Sequence, residues 1–271
     1  MGYPTVGYEG ALTSWASTNN TALLANMKPY SATFNIPEGV ADRTPFAPTD
    51  NTAQFGGGLR EWSGTIRGRY ASTPLVGYLG NIAHSGGDIL YVEKWALQIS
   101  ALVHKFTGLQ STATLAGWES FRPGLIEWKG SYDGFLDSAT TPVLPQTPQT
   151  AAAAATLTLT TSNTFAGTIL VNNLTLASSP RDLNKKGISF MGSSTLTAAG
   201  SANLFAAGAV TTPEWDTTGD GVSDSTMVFT LSSGRTLTGA AFWTEISVTV
   251  DPKAFTEITV NFRGSGALTP A

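Results

Sequence analysis

The feature that most constrains this chain is an internal repeat in its C-terminal half. Residues 157–197 match residues 229–269 without a gap, at one constant offset that we call the C-terminal shift. Apolar residues fall on apolar residues and glycines on glycines, as in Phe165 with Leu237, Leu174 with Ile246, Phe190 with Phe262, Gly167 with Gly239 and Gly192 with Gly264. Because such self-similarity is typical of duplicated units, we expect two equivalent units in one chain.

The N-terminal half repeats as well, in two short motifs. Residues 6–10 (VGYEG) recur as 76–80 (VGYLG), and residues 58–64 (GLREWSG) recur as 124–130 (GLIEWKG). The spacing of tryptophan and glycine then continues along an alternating segment, so one strand face carries matching residues in both copies. The repeated structural motif comprises Gly7, Tyr8, Gly10, Gly77, Tyr78, Gly80, Gly58, Leu59, Trp62, Gly64, Gly124, Leu125, Trp128 and Gly130.

The order of the repeats predicts one domain inserted into another. The first half occurs twice, and then the second half occurs twice. In the simplest parsing, residues 73–200 form the inserted domain, and residues 1–72 with 201–271 form a discontinuous outer domain. Each is of ordinary domain size. Halves of the copies could also be exchanged between the domains or between neighbouring chains.

Composition and patterning predict a mainly β fold with few, short helices. The chain has 29 Gly and 14 Pro, and Thr, Ser, Gly and Ala outweigh Lys and Glu. Alternation of apolar and polar residues predicts strands at 31–36, 95–100, 156–160 and 245–250. The helix candidates are residues 203–209 and the alanine run 151–155.

Charge and cysteine content exclude several functional classes. Only 13% of residues are charged and the net charge is -4, which argues against a general nucleic-acid binder. The absence of cysteine excludes a disulfide framework, a thiol nucleophile and a thiolate metal site. No apolar run is long enough for a membrane span, and no basic-then-apolar leader follows Met1, so we expect synthesis and folding in a cytoplasm.

One segment has the spacing of a calcium-binding loop. Residues 216–224 place glycine at the sixth position and four oxygen-bearing side chains around it, namely Asp216, Thr218, Asp220 and Asp224. Thr218 stands where a carboxylate is preferred, and Met227 stands where the bidentate glutamate is expected. A glycine-rich hairpin turn is the favoured interpretation, which a calcium-dependent shift of the melting temperature would reverse.

Catalytic chemistry finds little support in the residue pattern. His84 and His104 have no metal-ligand spacing, and neither a nucleophile elbow nor a phosphate loop is present. Asp133 with Asp137 or Glu127 could act as a glycosidase pair. The two aspartates have no acidic counterparts in the other copy, so we predict that the chain is not an enzyme and needs no cofactor.

The repeated residues resemble a known family. Residues 117–137 (GWESFRPGLIEWKGSYDGFLD) and the upstream GYLG at 77–80 resemble the tail tube, or major tail, proteins of long-tailed bacteriophages. In that family a Gly-Tyr-x-Gly-like start leads to a strand, a long loop, a Pro-Gly-Leu-x-x-Trp-x-Gly strand, a short helix and a closing pair of strands. Residues 73–200 follow this order. The outer copy follows it again, with FGGG at 55–58 in place of FRPG.

The resemblance implies two small antiparallel β-sandwich or barrel domains and a structural role in the virion tail. Such subunits join their sheets around a ring, and stacked rings form a hollow conduit through which the genome passes. The implied partners are further copies of the chain, tail proteins such as the terminator, tape measure and tail tip, and DNA in transient, non-specific passage. Residues 37–57 and 105–123 are candidate loops for contacts between rings.

Duplication predicts the number of chains in a ring. If each copy supplies one sector of a sixfold ring, three chains close it with pseudo-sixfold symmetry. The alternative is six chains, with one copy lining the channel and the other outside. Both copies keep the Gly-Leu-x-Glu-Trp-x-Gly strand, which favours equivalent roles and hence three chains.

A conduit must release DNA, which an acidic or neutral lining favours. The possible lumen-facing acids are Glu61, Glu127, Asp133 and Asp137, although Arg67 and Arg69 lie on the first of these strands. The alternative function is a non-enzymatic, β-rich binding module of the tail tip or virion surface. Such a module would remain monomeric and bind a receptor or glycan.

Overall fold

The structure is a computed structural model that describes most of the chain. The described residues are 11–15, 18–42, 55–70, 82–84, 91–105, 121–135, 153–160, 162–179, 182–201, 203–210, 225–232, 235–251 and 254–271. They form the elements β1 (Ala11–Trp15), α1 (Thr18–Asn26), β2 (Met27–Asn35), β3 (Glu38–Asp42), β4 (Phe55–Arg60), β5 (Ser63–Tyr70), β6 (Ile82–His84), β7 (Tyr91–Lys105), β8 (Phe121–Phe135), β9 (Ala153–Thr160), β10 (Asn163–Ser179), β11 (Asp182–Gly192), β12 (Thr197–Ala199), β13 (Gly208–Ala209), β14 (Thr226–Ser232), β15 (Arg235–Val250) and β16 (Glu257–Pro270). The predicted mainly β, antiparallel fold class is confirmed.

Within these ranges, fourteen strands belong to one open sheet. Its main path runs β13-β12-β10-β11-β8-β7-β15-β16-β5-β2. Two branches leave this path: β9 pairs with β10 and also with β6, and β14 pairs with β15 and also with β1. β3 and β4 pair separately. The path therefore contains one set of strands from β6 to β12 and a second set made of β1, β2, β5, β14, β15 and β16. The two sets meet where β7 pairs with β15.

Strand pairings recur between the two sets at the C-terminal shift of the sequence repeat. In the β10–β11 pair Ile169 lies opposite Gly192, and at the shifted positions of the β15–β16 pair Ala241 lies opposite Gly264. Both ladders have a register irregularity close by, again at positions that correspond under the C-terminal shift. A β-bulge is a specific local geometry, so its recurrence makes the two ladders alike in detail.

The other ladder of each set corresponds in the same way. Phe34 lies opposite Gly64 in the β2–β5 pair, and Leu97 lies opposite Gly130 in the β7–β8 pair. β8 thus corresponds to β5, and β7 corresponds to β2. The offset between β2 and β7, which matches Phe34 with Leu97, is called the N-terminal shift. The division into an outer and an inserted domain stays a prediction. β13, just past the predicted boundary at residue 200, pairs with β12.

One apolar core extends under both sets. Along β7 and β15 alternate side chains are almost fully buried, among them Trp95, Leu97, Ile99, Ile246 and Val248. The intervening side chains, largely serine, threonine, glutamine and charged residues, lie on the other face of the sheet. This alternation of buried and polar positions is the period-two pattern of a sheet with one covered face.

Both predicted helices are wrong. The alanine run enters β9, where the alternation of Ala155, Leu157 and Leu159 buries one face, so period two overrides alanine's helix propensity. Residues 203–210 form bends that end in β13, because the Asn203 amide donates to the carbonyl oxygens of Thr164 and Ala199 at 2.8 and 2.9 Å.

The helix that the structure does contain is α1. Its second half is rich in helix formers, Ala22 to Ala25, and Leu23 is buried. It ends at Asn26, whose amide donates to the carbonyl oxygen of Ala22 at 3.0 Å and to that of Asn203 at 2.8 Å.

The predicted inter-ring loops begin and end as paired strands. Residues 37–57 contain β3 and the start of β4, and residues 105–123 contain the last residue of β7 and the first residues of β8. Glu38 lies opposite Arg60 just as Ala101 lies opposite Ile126, so the correspondence continues into these hairpins. Residues 43–54 and 106–120, the centres of the two predicted loops, lie outside the described residues.

Candidate assembly surface

Two tryptophans occupy matching positions under the two sets of strands. Trp62 is 1% exposed, and its Nε1 donates to the carbonyl oxygen of Gly266 at 3.1 Å. Trp128 is 5% exposed, and its Nε1 donates to the carbonyl oxygen of Ser194 at 2.7 Å. The two acceptors correspond under the C-terminal shift, so the repeated tryptophan of the motif anchors the corresponding backbone position in each set.

The repeated glycines make room for aromatic rings. A Cβ on Gly264 would overlap the indole of Trp62, and a Cβ on Gly192 would overlap that of Trp128. Gly64 lies under Phe262, and Gly130 lies under Phe190 in the same way. The glycine spacing in the sequence therefore reflects close packing of rings against backbone rather than turns.

Shortening either tryptophan should destabilise the fold by a similar amount. We expect Trp62→Phe and Trp128→Phe each to lower the free energy of unfolding by about 2 kcal/mol, because each loses a hydrogen bond and leaves a small cavity. Urea titration followed by circular dichroism measures the effect. Trp95→Phe is the control, since the buried Trp95 Nε1 has no hydrogen-bond partner among the described residues. Its loss should be about 1 kcal/mol smaller, and equal losses in all three variants would contradict the anchoring role.

The remaining motif residues divide between described and undescribed parts of the chain. Gly58 and Leu59 lie in β4, and Gly124 and Leu125 lie in β8, with Leu125 exposed. The first motif, Gly7, Tyr8, Gly10, Gly77, Tyr78 and Gly80, lies outside the described residues. So do Asp137 and the calcium-loop candidates Asp216, Thr218, Asp220 and Asp224.

The three described lumen candidates share the polar face of the sheet with cations. Glu61 is ion-paired with Arg263, and Glu127 is exposed next to the buried Trp128 on β8. Asp133 Oδ2 lies 3.1 Å from Lys94 Nζ, and this bond together with the carboxylate charge raises the pKa of Lys94. Arg67 and Arg69 of β5 are exposed on the same face of the sheet as these acids. In the described part of the chain, this face therefore carries charges of both signs.

The two sets are joined by an antiparallel ladder between β7 and β15. Residues 95–100 pair with residues 245–250, with Leu97 opposite Val248 and Ile99 opposite Ile246. All four of these side chains are at most 1% exposed. The sheet thus continues through the junction, and the apolar side chains there are buried in a core to which both sets contribute.

Two outer strands carry the positions that correspond to this junction. β2 corresponds to β7, and the C-terminal half of β10 corresponds to that of β15. Ile36, next to β2, is 46% exposed where Ile99 is 0% exposed, and Leu176 of β10 is 56% exposed where Val248 is 0% exposed. Sequence alternation predicts a strand that includes Ile36, but it does not mark Ile36 or Leu176 as a contact edge. The N-terminal and C-terminal shifts identify these positions, because they match Ile36 with Ile99 and Leu176 with Val248.

The chain resembles parts of gene transfer agent particles. A chain from the tail of an empty gene transfer agent particle, refined with C6 symmetry, is similar over 44% of this chain and 93% of its own length, with 12% identity and a TM-score of 0.34. A chain from a native gene transfer agent virion is similar over 39% of this chain and 82% of its own length, with 11% identity and a TM-score of 0.31. No protein-family model and no curated protein matches the sequence.

Groups suited to catalysis or metal binding are sparse in the described ranges. Within them, no cluster of three or more His, Asp or Glu side chains has the arrangement of a metal site. His104 is exposed on β7, beside Gly124. Burial raises the pKa of the Tyr70 phenol above its ordinary value. No helix in the described part of the chain has the length and apolar character needed to cross a membrane.

Proposed function

We propose that this chain is a structural, non-enzymatic subunit of a phage-type tail tube, in which rings of three chains stack into a hollow conduit for the genome. The observation that carries the proposal is the β7–β15 junction, which joins two sets of strands with corresponding pairings in a head-to-tail manner. A head-to-tail contact closes into a ring when its rotation divides a full turn. Two sets per chain and six sectors per ring give three chains.

Ring closure also accounts for the open sheet. An open sheet leaves unpaired backbone donors and acceptors at its edges, and closure of the sheet around an axis removes them. The predicted outer and inserted domains, 1–72 with 201–271 and 73–200, would then each supply one sector of the ring.

The polar face fits a passage for DNA. Its serine, threonine and asparagine side chains are uncharged, and its charges include the ion pairs of Glu61 with Arg263 and of Asp133 with Lys94. A surface on which acids accompany the cations attracts phosphates less than a purely basic surface does, and so it favours passage of DNA over retention. We assign Glu61, Glu127 and Asp133 to the lumen on this basis, and terminator, tape-measure and tail-tip proteins as partners at the ends of a tube in the virion tail.

Electron microscopy with rotational averaging of the purified protein tests this function. Hollow tubes or rings with pseudo-sixfold symmetry are expected, together with a native mass of three chains per ring. Rings of six chains would keep the tube and overturn the three-chain stoichiometry. A protein that stays monomeric at high concentration and binds a receptor or glycan would overturn the tube and favour a binding module.

A further inference from the structure

We propose that β2 of one chain pairs antiparallel with β10 of a neighbouring chain in a fixed register, residues 32–37 opposite residues 173–178. This inference rests on the proposed ring, and it names the two surfaces that close the ring. The partner is a second copy of this chain, because one copy offers both halves of the contact: β2 at one end of the main sheet path, and the C-terminal half of β10 near the other end.

The β7–β15 junction is the template for this contact. It runs from Trp95 opposite Val250 to Ser100 opposite Glu245, and it buries an apolar row. β7 is joined to β8 on its other side, and β15 is joined to β16. Each strand of the junction is therefore an edge of its own set that the other set covers.

The corresponding pair follows from the two internal shifts. The N-terminal shift matches Leu97 with Phe34, and the C-terminal shift matches Val248 with Leu176. Because Leu97 lies opposite Val248, Phe34 of one chain should lie opposite Leu176 of the next. The same operation places Ile36 opposite Leu174, and Asn35 opposite Thr175.

Both edges are open in the described part of the chain. There β2 pairs only with β5, and residues 173–178 of β10 pair only with β11. The side chains at the two edges are apolar or uncharged throughout, from Ala32 to Pro37 and from Asn173 to Ser178. An exposed strand with apolar side chains and no charge is a template for pairing with another strand.

A groove crosses the face of the sheet from β2 over β5 to β16. It has a volume of about 470 Å³, and Thr33, Phe34 and Asn35 line it together with Phe262. In the β7–β15 junction, the space beside the corresponding residues of β7 is occupied by β15. A matching groove of about 380 Å³ lies in the other set, where Ser247, Val248 and Thr249 of β15 line one side of it. The neighbouring strand of the proposed contact would line the β2 groove in the same way.

Cysteine cross-linking tests the register in a chain that has no cysteine of its own. Asn35→Cys and Thr175→Cys alter two exposed positions that should lie directly opposite each other. Opposed residues have Cα atoms about 4.5 to 5.5 Å apart, within disulfide reach. On mild oxidation, a mixture of the two single variants should give a cross-linked dimer, while each variant alone should give none. The double variant should give a ladder that ends at three chains.

Asn35→Cys with Ala177→Cys is the matched control, because it moves one partner by two residues to a diagonal distance of about 7 to 8 Å. We expect its cross-linking to be at least about tenfold slower. Electron microscopy of each variant and of the unaltered protein shows whether rings form.

Three outcomes would overturn the pairing. If rings form and the two cysteine pairs cross-link equally slowly, the register and edges are wrong while the tube stands. If one single variant cross-links with itself, the contact is two-fold rather than head-to-tail. If no rings form and no cross-link appears, the proposed function and this inference both fail.

Discussion

Replacing Gly264 by alanine is expected to lower the free energy of unfolding by about 3 kcal/mol. The added Cβ would overlap the indole of Trp62, which is almost fully buried and hydrogen-bonded to Gly266. The ring has no free space to move into, so the strand or the indole must shift and lose packing. The melting temperature should fall by roughly 6 to 10 °C in differential scanning calorimetry. Gly192→Ala should behave alike against Trp128.

Gly187→Ala is the matched control for the glycine substitutions. It makes the same chemical change on β11, but the added Cβ would meet Asp133 Oδ1 at 2.8 Å, the end of a side chain that can rotate. Its stability should stay within about 0.5 kcal/mol of the unaltered protein. A Gly264→Ala variant as stable as this control would contradict the close packing of Trp62 on β16.

Leu176→Glu is expected to prevent assembly while leaving the single chain folded. Leu176 is 56% exposed and lies opposite Lys186 on β11, so a glutamate there faces a cation within its own chain. In the proposed contact the same position is covered by Phe34 of the next chain. Assembly would lose the burial of a leucine and would desolvate a carboxylate, each worth about 2 kcal/mol or more. The protein concentration needed for rings should rise at least about 100-fold, as measured by sedimentation velocity.

Met191→Glu separates this effect from the charge itself. Met191 is 48% exposed and lies opposite Lys129, so the same residue is introduced opposite a lysine on the polar face. The position corresponds to Arg263 in the other set, which shows that a charged side chain fits there. Assembly should be unchanged within about threefold. Equal loss of assembly in both variants would remove Leu176 from the interface, and an unfolded Leu176→Glu chain would show that the leucine supports its own sheet.

The fold class could be predicted from the sequence because it depends on local periodicity, and the likeness of the two sets of ladders could be predicted because it follows from the repeat. The match of residues 157–197 with 229–269 carries over to the pairing of Ile169 with Gly192 and of Ala241 with Gly264. The Trp-x-Gly spacing also has a direct structural reason, since ring and glycine lie against each other. Patterns of this kind can be read from the sequence because the residue type at each position is determined by its immediate packing neighbours.

The features that sequence did not predict depend on distant contacts. Residues 203–209 contain helix-forming Leu and Ala, but Phe205 packs edge-on against Phe165 and Trp243 with centroids 6.1 and 6.0 Å away, and this long-range packing outweighs local propensity. The outer edges escaped detection for a related reason. Leu174 and Leu176 alternate as Ile246 and Val248 do, and only the presence or absence of a neighbouring strand distinguishes their surroundings.

The covalent link between the two sets bears on the solubility of the free subunit. The β7–β15 edge is covered as soon as the chain folds, so it can carry Trp95 and Val250 without ever exposing them to water. The corresponding outer positions are Ala32 and Ser178, which are exposed in the single chain. Large exposed apolar edges promote aggregation, and small or hydroxylated residues reduce that risk. In the proposed ring, the covalent link between two sectors halves the number of exposed strand edges that must stay soluble before assembly.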